Sequence, residues 1–238
     1  MAILIGSARH DENGNYTGGK AGDQLQTSVG DLTGECSMQT FYVHSKGWYV
    51  LRPVTKSLAK DIAFAMATLC NNKSAGYSQS CQRTSVDDIT SIVPFNIDCS
   101  KGVRDCIYYA SKKDVGNFTT ANEVSVLEKS GLFETHFAYV NQTKTPIYDG
   151  DVLVTKTKGH TVIIVTGSER PDDELYYPKY TGSSSSIITA LKAVGVTDTS
   201  LSYRTKIAKK NNISNYSGKA SENLKMVNLL KAGKLLKV

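Results

Sequence analysis

Two residues in this 238-residue sequence combine a reactive type with a position that suits it, Cys99 and His160. Cys99 lies between Asp98 and Ser100 at the expected start of a helix. A helix N-terminus presents unpaired N–H groups and a positive dipole end, both of which favour a thiolate. The competing reading makes Cys99 a small buried hydrophobe, the role assigned to Cys70 and to Cys106, which falls mid-helix. His160 follows the Gly159 turn at the head of an expected strand. From there an imidazole can reach across a cleft and act as general base for a thiol, or else it is a surface histidine beside a lysine-rich turn. His10, His44 and His136 stand in polar, loop-like contexts typical of solvated histidines. No metal or other cofactor is expected. No His or Cys is close to His160 in sequence, and the seven-residue spacing of Cys99 and Cys106 matches no zinc pattern. Asp11 to Asn15 reads as a turn in preference to a calcium loop.

The elements that must position these groups give an α+β reading, helices packed on an antiparallel sheet. From Lys56 to Asn71, Leu58, Ile62, Met66 and Leu69 share one helix face. A second helix opens at Asp98-Cys99-Ser100, aligns Val103, Cys106, Ile107 and Ala110, and stops by Gly116. Thr120 and Glu123 have capping-box spacing ahead of a helix over Val124 to Lys129, with Gly131 as its stop. Val152 to Val154 and Thr161 to Val165 read as strands joined by a tight turn at Lys158-Gly159. Phe41 to Leu51 is aromatic and β-rich, the pattern of a hairpin in the same sheet.

Prolines and acidic groups between Ser168 and Pro178 mark a boundary. The expected organisation is a domain over 1–168, a linker over 169–179 and a small, mainly helical module over 180–238. Three amphipathic stretches follow the linker: Ile187 to Val194 behind a serine cap, Leu201 to Ala208, and Leu224 to Leu230 with Gly233 as a stop. About 60 residues bury only a marginal core, too small to enclose an active site.

The charge is uneven. Residues 1–175 hold 17 Lys and Arg against 20 Asp and Glu, a balance of −3, while residues 176–238 hold 11 against 2, a balance of +9, which together make the net +6. A basic module of this kind suits a polyanionic surface, whether nucleic acid, an anionic membrane face or a wall rich in teichoic acids, or else uses lysine for solubility alone. It has no recognisable nucleic-acid motif and no interleaved aromatic stacking pattern. No apolar run approaches the roughly 18 residues of a membrane span. The N-terminus has too short an apolar stretch and no basic lead for a signal peptide. Five cysteines, an odd number, argue against a disulfide framework and for a reducing cytoplasm.

Asp98-Cys99-Ser100 opening a helix, then Gly150-Asp151-Val152-Leu153-Val154, then Gly159-His160-Thr161-Val162-Ile163-Ile164-Val165, resembles the NlpC-type cysteine peptidases, papain-like and CHAP-related hydrolases of bacterial peptidoglycan. Tyr77, in Ala75-Gly76-Tyr77-Ser78-Gln79, is similar to the tyrosine that members carry near the active site upstream of the nucleophile. The glycine-rich opening from Gly6 to Gln24, and Phe118-Thr119-Thr120-Ala121-Asn122-Glu123, resemble a subgroup of phage endolysins. Tyr180 to Lys192, Ser202-Tyr203-Arg204 and Asn215-Tyr216-Ser217-Gly218 are similar to small wall-binding modules of lysins from phages of Gram-positive hosts. Members often continue Asp-Cys-Ser with Gly-Phe, whereas this sequence has Lys101-Gly102-Val103.

The resemblance implies a papain-like fold and a peptidoglycan hydrolase that cleaves an amide of the wall peptide. Cys99 would be its nucleophile, His160 its base and Tyr77 an active-site support, with no metal. It leaves the third catalytic member without a clear match: Glu169 and Asp172 are candidates, or His44 if residues 36–52 form a hairpin, and Gln24 is a candidate oxyanion donor. The implied partners are Gram-positive peptidoglycan and its wall polymers, not nucleic acid. The implied location is the host cytoplasm until release to the wall. Competing classes are a non-catalytic wall-binding protein and a secreted bacteriolytic toxin with the same chemistry.

Overall fold

The computed structural model describes residues 2–11, 13–19, 35–171 and 176–238. The chain divides into two compact units, Met1–Pro171 and Asp172–Val238.

The first unit is α+β. Its main sheet has six strands: β1 (Leu4–Ala8), β2 (Cys36–Thr40), β3 (Trp48–Leu51), β6 (Phe137–Ala138), β7 (Val152–Thr155) and β8 (Thr161–Thr166). They lie in the order β2-β1-β8-β7-β3-β6, and every pairing is antiparallel. A parallel pair, β4 (Ala75–Tyr77) and β5 (Phe95–Ile97), stands apart. The helices are α1 (Lys56–Cys70), α2 (Cys99–Ser111) and α3 (Glu123–Lys129).

Side chains alternate across the sheet, as the period of two requires. Val152, Val154 and Ile163 face the helical layer, where they pack with Ile62, Met66 and Leu69 of α1 and Val103, Cys106 and Ile107 of α2. Leu153, Val162 and Ile164 face the other way, onto Ile5, Trp48, Val50 and Ile147. Both faces are buried, which explains why β7 and β8 are continuous apolar runs.

Close packing explains two glycines. A Cβ on Gly6 would drive into the Met66 side chain, so β1 passes directly beneath α1. Gly150 has φ +76° and lies against the Ala59 carbonyl, where no side chain fits. It is followed by buried Asp151, which takes a two-pronged ion pair from Arg52 at 2.8 and 3.1 Å.

Phe41 to Leu51 does not form the expected hairpin. Only Trp48–Leu51 is a strand, and it pairs with β7 and β6, while β2 lies at the far end of the sheet against β1. The intervening residues carry the chain across. The cap of α3 also differs from expectation. The helix begins at Glu123 with Asn122 before it, so Glu123 is its first residue and forms no capping box with Thr120.

The second unit holds α4 (Ile187–Ala193), α5 (Leu201–Lys210) and α6 (Ala220–Ala232). Its core gathers Ile187, Leu191, Ile207, Met226, Val227 and Leu230 with Tyr177, Tyr180 and Leu235. Tyr177 donates its N–H to the Leu235 carbonyl at 2.8 Å, so residues assigned by composition to a linker contribute to this core. All five cysteines are reduced, and among the described residues no helix is long and apolar enough to cross a membrane.

Candidate active site

Cys99 is the first residue of α2. Asp98 caps that helix by accepting from the Lys101 N–H at 2.8 Å and the Ser100 hydroxyl at 3.0 Å. Strand β5 runs directly into the cap, so β4 and β5 fix where the thiol emerges. Arg83 pairs with Asp98 and donates to the Ser100 hydroxyl and, at 3.0 Å, to the Phe118 carbonyl. This one guanidinium ties the helix start to the segment leading into α3. That segment is tied in turn to the β7–β8 turn, because the Gly159 N–H donates to Thr120 Oγ1 at 3.2 Å. The Phe118–Glu123 run therefore joins the cysteine's helix to the histidine's strand.

Cys99 is half-buried and reaches the head of β8. Burial first, and then the Glu123 charge, push its thiol up to about 11, opposed by the Thr161 and Ser100 N–H groups and by Arg83. The spacing predicts a thiolate favoured by the helix end. Desolvation beside a carboxyl outweighs that here, and the resting group is the thiol.

His160 stands one residue before β8, opposite Thr155, whose N–H donates to the His160 carbonyl at 3.0 Å. Strand alternation puts its side chain on the face of Val162 and Ile164, away from the helical layer. There Nε2 lies 3.3 Å from Ser7 Oγ of β1. Burial, then the charges of His44 and Arg9, lower the imidazole to about 4, so it is neutral at pH 7. Cys99 and His160 thus stand at one strand end but on opposite faces of the sheet, a neutral thiol bonded by the Thr161 N–H and a neutral imidazole turned toward Ser7. Among the described residues none hydrogen-bonds His160 Nδ1.

Tyr77, at the end of β4, pairs in register with Ile97, two residues before Cys99. Burial raises its phenol to about 12; the Gln79 amide bonds it at 3.3 Å, and the Cys99 charge adds to the rise. The structure places Tyr77 and the thiol in one neighbourhood.

Among the candidates for a third member, His44 is brought near the imidazole by the β2–β3 connection, where it stacks edge-on with Trp48 at 5.3 Å. Glu169 is not. It lines a separate cavity of about 100 Å³ with Lys56, Lys60, Asp149 and Arg170. Among the described residues no strand follows β8 in the acidic segment, and β1 occupies that side of β8. Asp172 and Gln24 lie outside the described residues. Asp11 closes the turn expected of it, its carboxylate accepting from the N–H groups of Asn13 and Asn15 at 3.0 and 2.6 Å.

Three neighbours escape a sequence reading. Ser7 bonds the imidazole from a strand 153 positions away. Arg83 holds the helix start. Glu123 is fully buried beside the thiol, its carboxyl 2.7 Å from Thr161 Oγ1. Lys101 is buried too, paired with Asp105 at 2.7 Å and with Asp87 at 2.9 Å, which anchors the chain ahead of β5 to α2 where members of the resembled family have a smaller residue.

No curated protein and no solved structure matches the chain. A family model for the endolysin-like domain matches residues 5–171, which span β2 to β8, α1 to α3 and all but the first residue of β1. The chain belongs to the endolysin-like domain family.

Proposed function

We propose that the first unit is a cysteine hydrolase of bacterial peptidoglycan, NlpC-type in chemistry, with Cys99 as nucleophile and His160 as base. The observation that carries this reading is the half-buried thiol at the first turn of α2, bonded by the N–H of Thr161, the residue that follows His160 at the head of β8. Cys99 Sγ attacks the amide carbonyl and its proton passes to the His160 imidazole, which turns from Ser7 toward the thiol to receive it. The tetrahedral oxyanion draws on the Cys99 N–H at the helix start, a type of donor worth roughly 3 kcal/mol elsewhere. Collapse expels the amine, which takes the proton from His160, and water releases the acyl group from sulfur. The thiol and imidazole start neutral, so the proton moves during attack. Apo sites commonly hold such pairs beyond hydrogen-bond reach until substrate binds.

The pH dependence tests this assignment. A base lowered to about 4 stays competent well below the usual histidine range, so kcat/KM holds from neutrality down to about pH 5 and falls only as pH drops through about 4. An acid limb near 6.5 in the kcat/KM profile would remove His160 as the base.

We further infer that the second unit binds anionic wall polymers. Lys206, Lys209 and Lys210 of α5 and Lys225 of α6 are exposed, on a unit with a balance of +9 over residues 176–238. Tethering raises the hydrolase's effective concentration on an insoluble substrate. A fragment spanning 172–238, which carries its own core, is expected to co-sediment with Gram-positive walls and to be released as salt rises from about 0.05 to 0.5 M. Binding that ignores salt, or none to walls that the full chain lyses, would contradict it.

A further inference from the structure

Resting on the reading of Cys99 as nucleophile, the geometry points to Glu123 as a positioning residue of the thiol site, held as a neutral carboxylic acid whose proton is donated to Thr161. Thr161 Oγ1 lies 3.1 Å from the Leu153 carbonyl, which only accepts, and 2.7 Å from Glu123 Oε1. A hydroxyl has one proton and cannot donate along both lines. Both contacts are satisfied when Thr161 donates to Leu153 and Glu123 donates to Thr161. The carboxyl is fully buried, and its second oxygen, Oε2, has no hydrogen-bond partner, an arrangement costly for an anion and ordinary for an acid.

The groups facing Glu123 are Thr161 of β8 and Cys99 of α2, with the Leu153 carbonyl of β7 beyond the hydroxyl. Arg83, the cation that acts on Cys99, is committed to Asp98, Ser100 and the Phe118 carbonyl. Among the described residues no cation is bonded to the carboxyl. Burial accordingly lifts Glu123 to about 8. The neutral acid has two consequences. It locks the residue whose backbone N–H faces the Cys99 sulfur, and it keeps a negative charge away from a thiol that must become an anion during attack.

The test is the rate of Cys99 alkylation by iodoacetamide in the full chain, followed on the Cys99 peptide by mass spectrometry, which requires no wall hydrolysis. In wild type Glu123 ionises above about pH 8 and then opposes the thiolate; glutamine is neutral throughout and can still donate to Thr161. Glu123→Gln is therefore expected to match wild type at about pH 6.5 and to react about tenfold faster at about pH 9, the effect of one pKa unit. A similar acceleration already at about pH 6.5 would show a resting anion and overturn the proposal, as would equal rates at both pH values. If Glu123→Gln fails to fold, wild type decides: its log rate departs from unit slope around pH 8, whereas an unbroken unit slope overturns the assignment. These outcomes are independent of whether Cys99 cleaves walls.

Discussion

Replacing Cys99 with alanine is expected to lower wall hydrolysis by about 10⁴-fold or more while changing stability by less than about 1 kcal/mol. The first part follows because, among the described thiols, Cys99 is the one bonded by the Thr161 N–H at the head of β8, whereas Cys81 lies by Arg83 and Lys101. Cys106 is buried mid-helix, and Cys36 and Cys70 are buried against one another at 3.5 Å. The second follows from what Cys99 does not do for the fold. The cap of α2 is made by Asp98, the helix start is held by Arg83, and the half-buried Cys99 side chain is absent from the buried core. Lysis of purified walls, followed alongside thermal unfolding, separates the two effects. A Cys99→Ala protein that lyses at the wild-type rate removes the thiol mechanism.

Lys101→Ala is expected to have the largest effect on stability, roughly 3–5 kcal/mol at pH 8, because it strips the cation from a buried carboxylate. Lys101 and Asp105 are both inaccessible and bonded at 2.7 and 2.8 Å, one helical turn apart. Even with the lysine present, burial holds Asp105 at about 6, above the ordinary carboxylate range, with Lys101 and the Asp87 N–H working against the rise. The sign follows from that elevation. Protonated Asp105 favours the folded state below its unfolded value near 4, and this contribution is lost as pH rises through about 6. Without Lys101 the carboxyl rises further and takes a proton at pH 5, so the loss is smaller there than at pH 8. Urea unfolding at the two pH values measures the difference; an equal loss at both would show that Asp105 is not the group left uncompensated.

Much of this arrangement is legible in the sequence. Local periodicity predicts α1, whose Ile62, Met66 and Leu69 are buried on one face, and the cap at Asp98 predicts that Cys99 opens α2. Strands β7 and β8 follow from their continuous apolar runs. The sheet order is not legible, because β1 and β8 pair across more than 150 residues with no local signal for it. Ser7 is hidden for that reason. Its nearest hint is the small-residue strand Gly6-Ser7-Ala8, of the kind that lets a helix lie close above.

Glu123 is obscured by a different cause. Its spacing from Thr120 fits a capping box, but the helix begins two residues later than that box requires, and the carboxyl is drawn into the core by Thr161. The two faces of β8 also matter. Alternation sends His160 and Thr161 in opposite directions, so the imidazole joins Ser7 and His44 while Thr161 joins Glu123 and the thiol. A motif read along the chain shows the two residues side by side and says nothing of that division.

The central claim is that Cys99 cleaves an amide of the wall peptide. Mass spectrometry of purified Gram-positive peptidoglycan, digested with wild type and with Cys99→Ala, tests it most directly. New amine and carboxyl termini at one bond type are expected with wild type and not with the variant. The same termini with both proteins, or new reducing sugar ends in place of peptide termini, would contradict it.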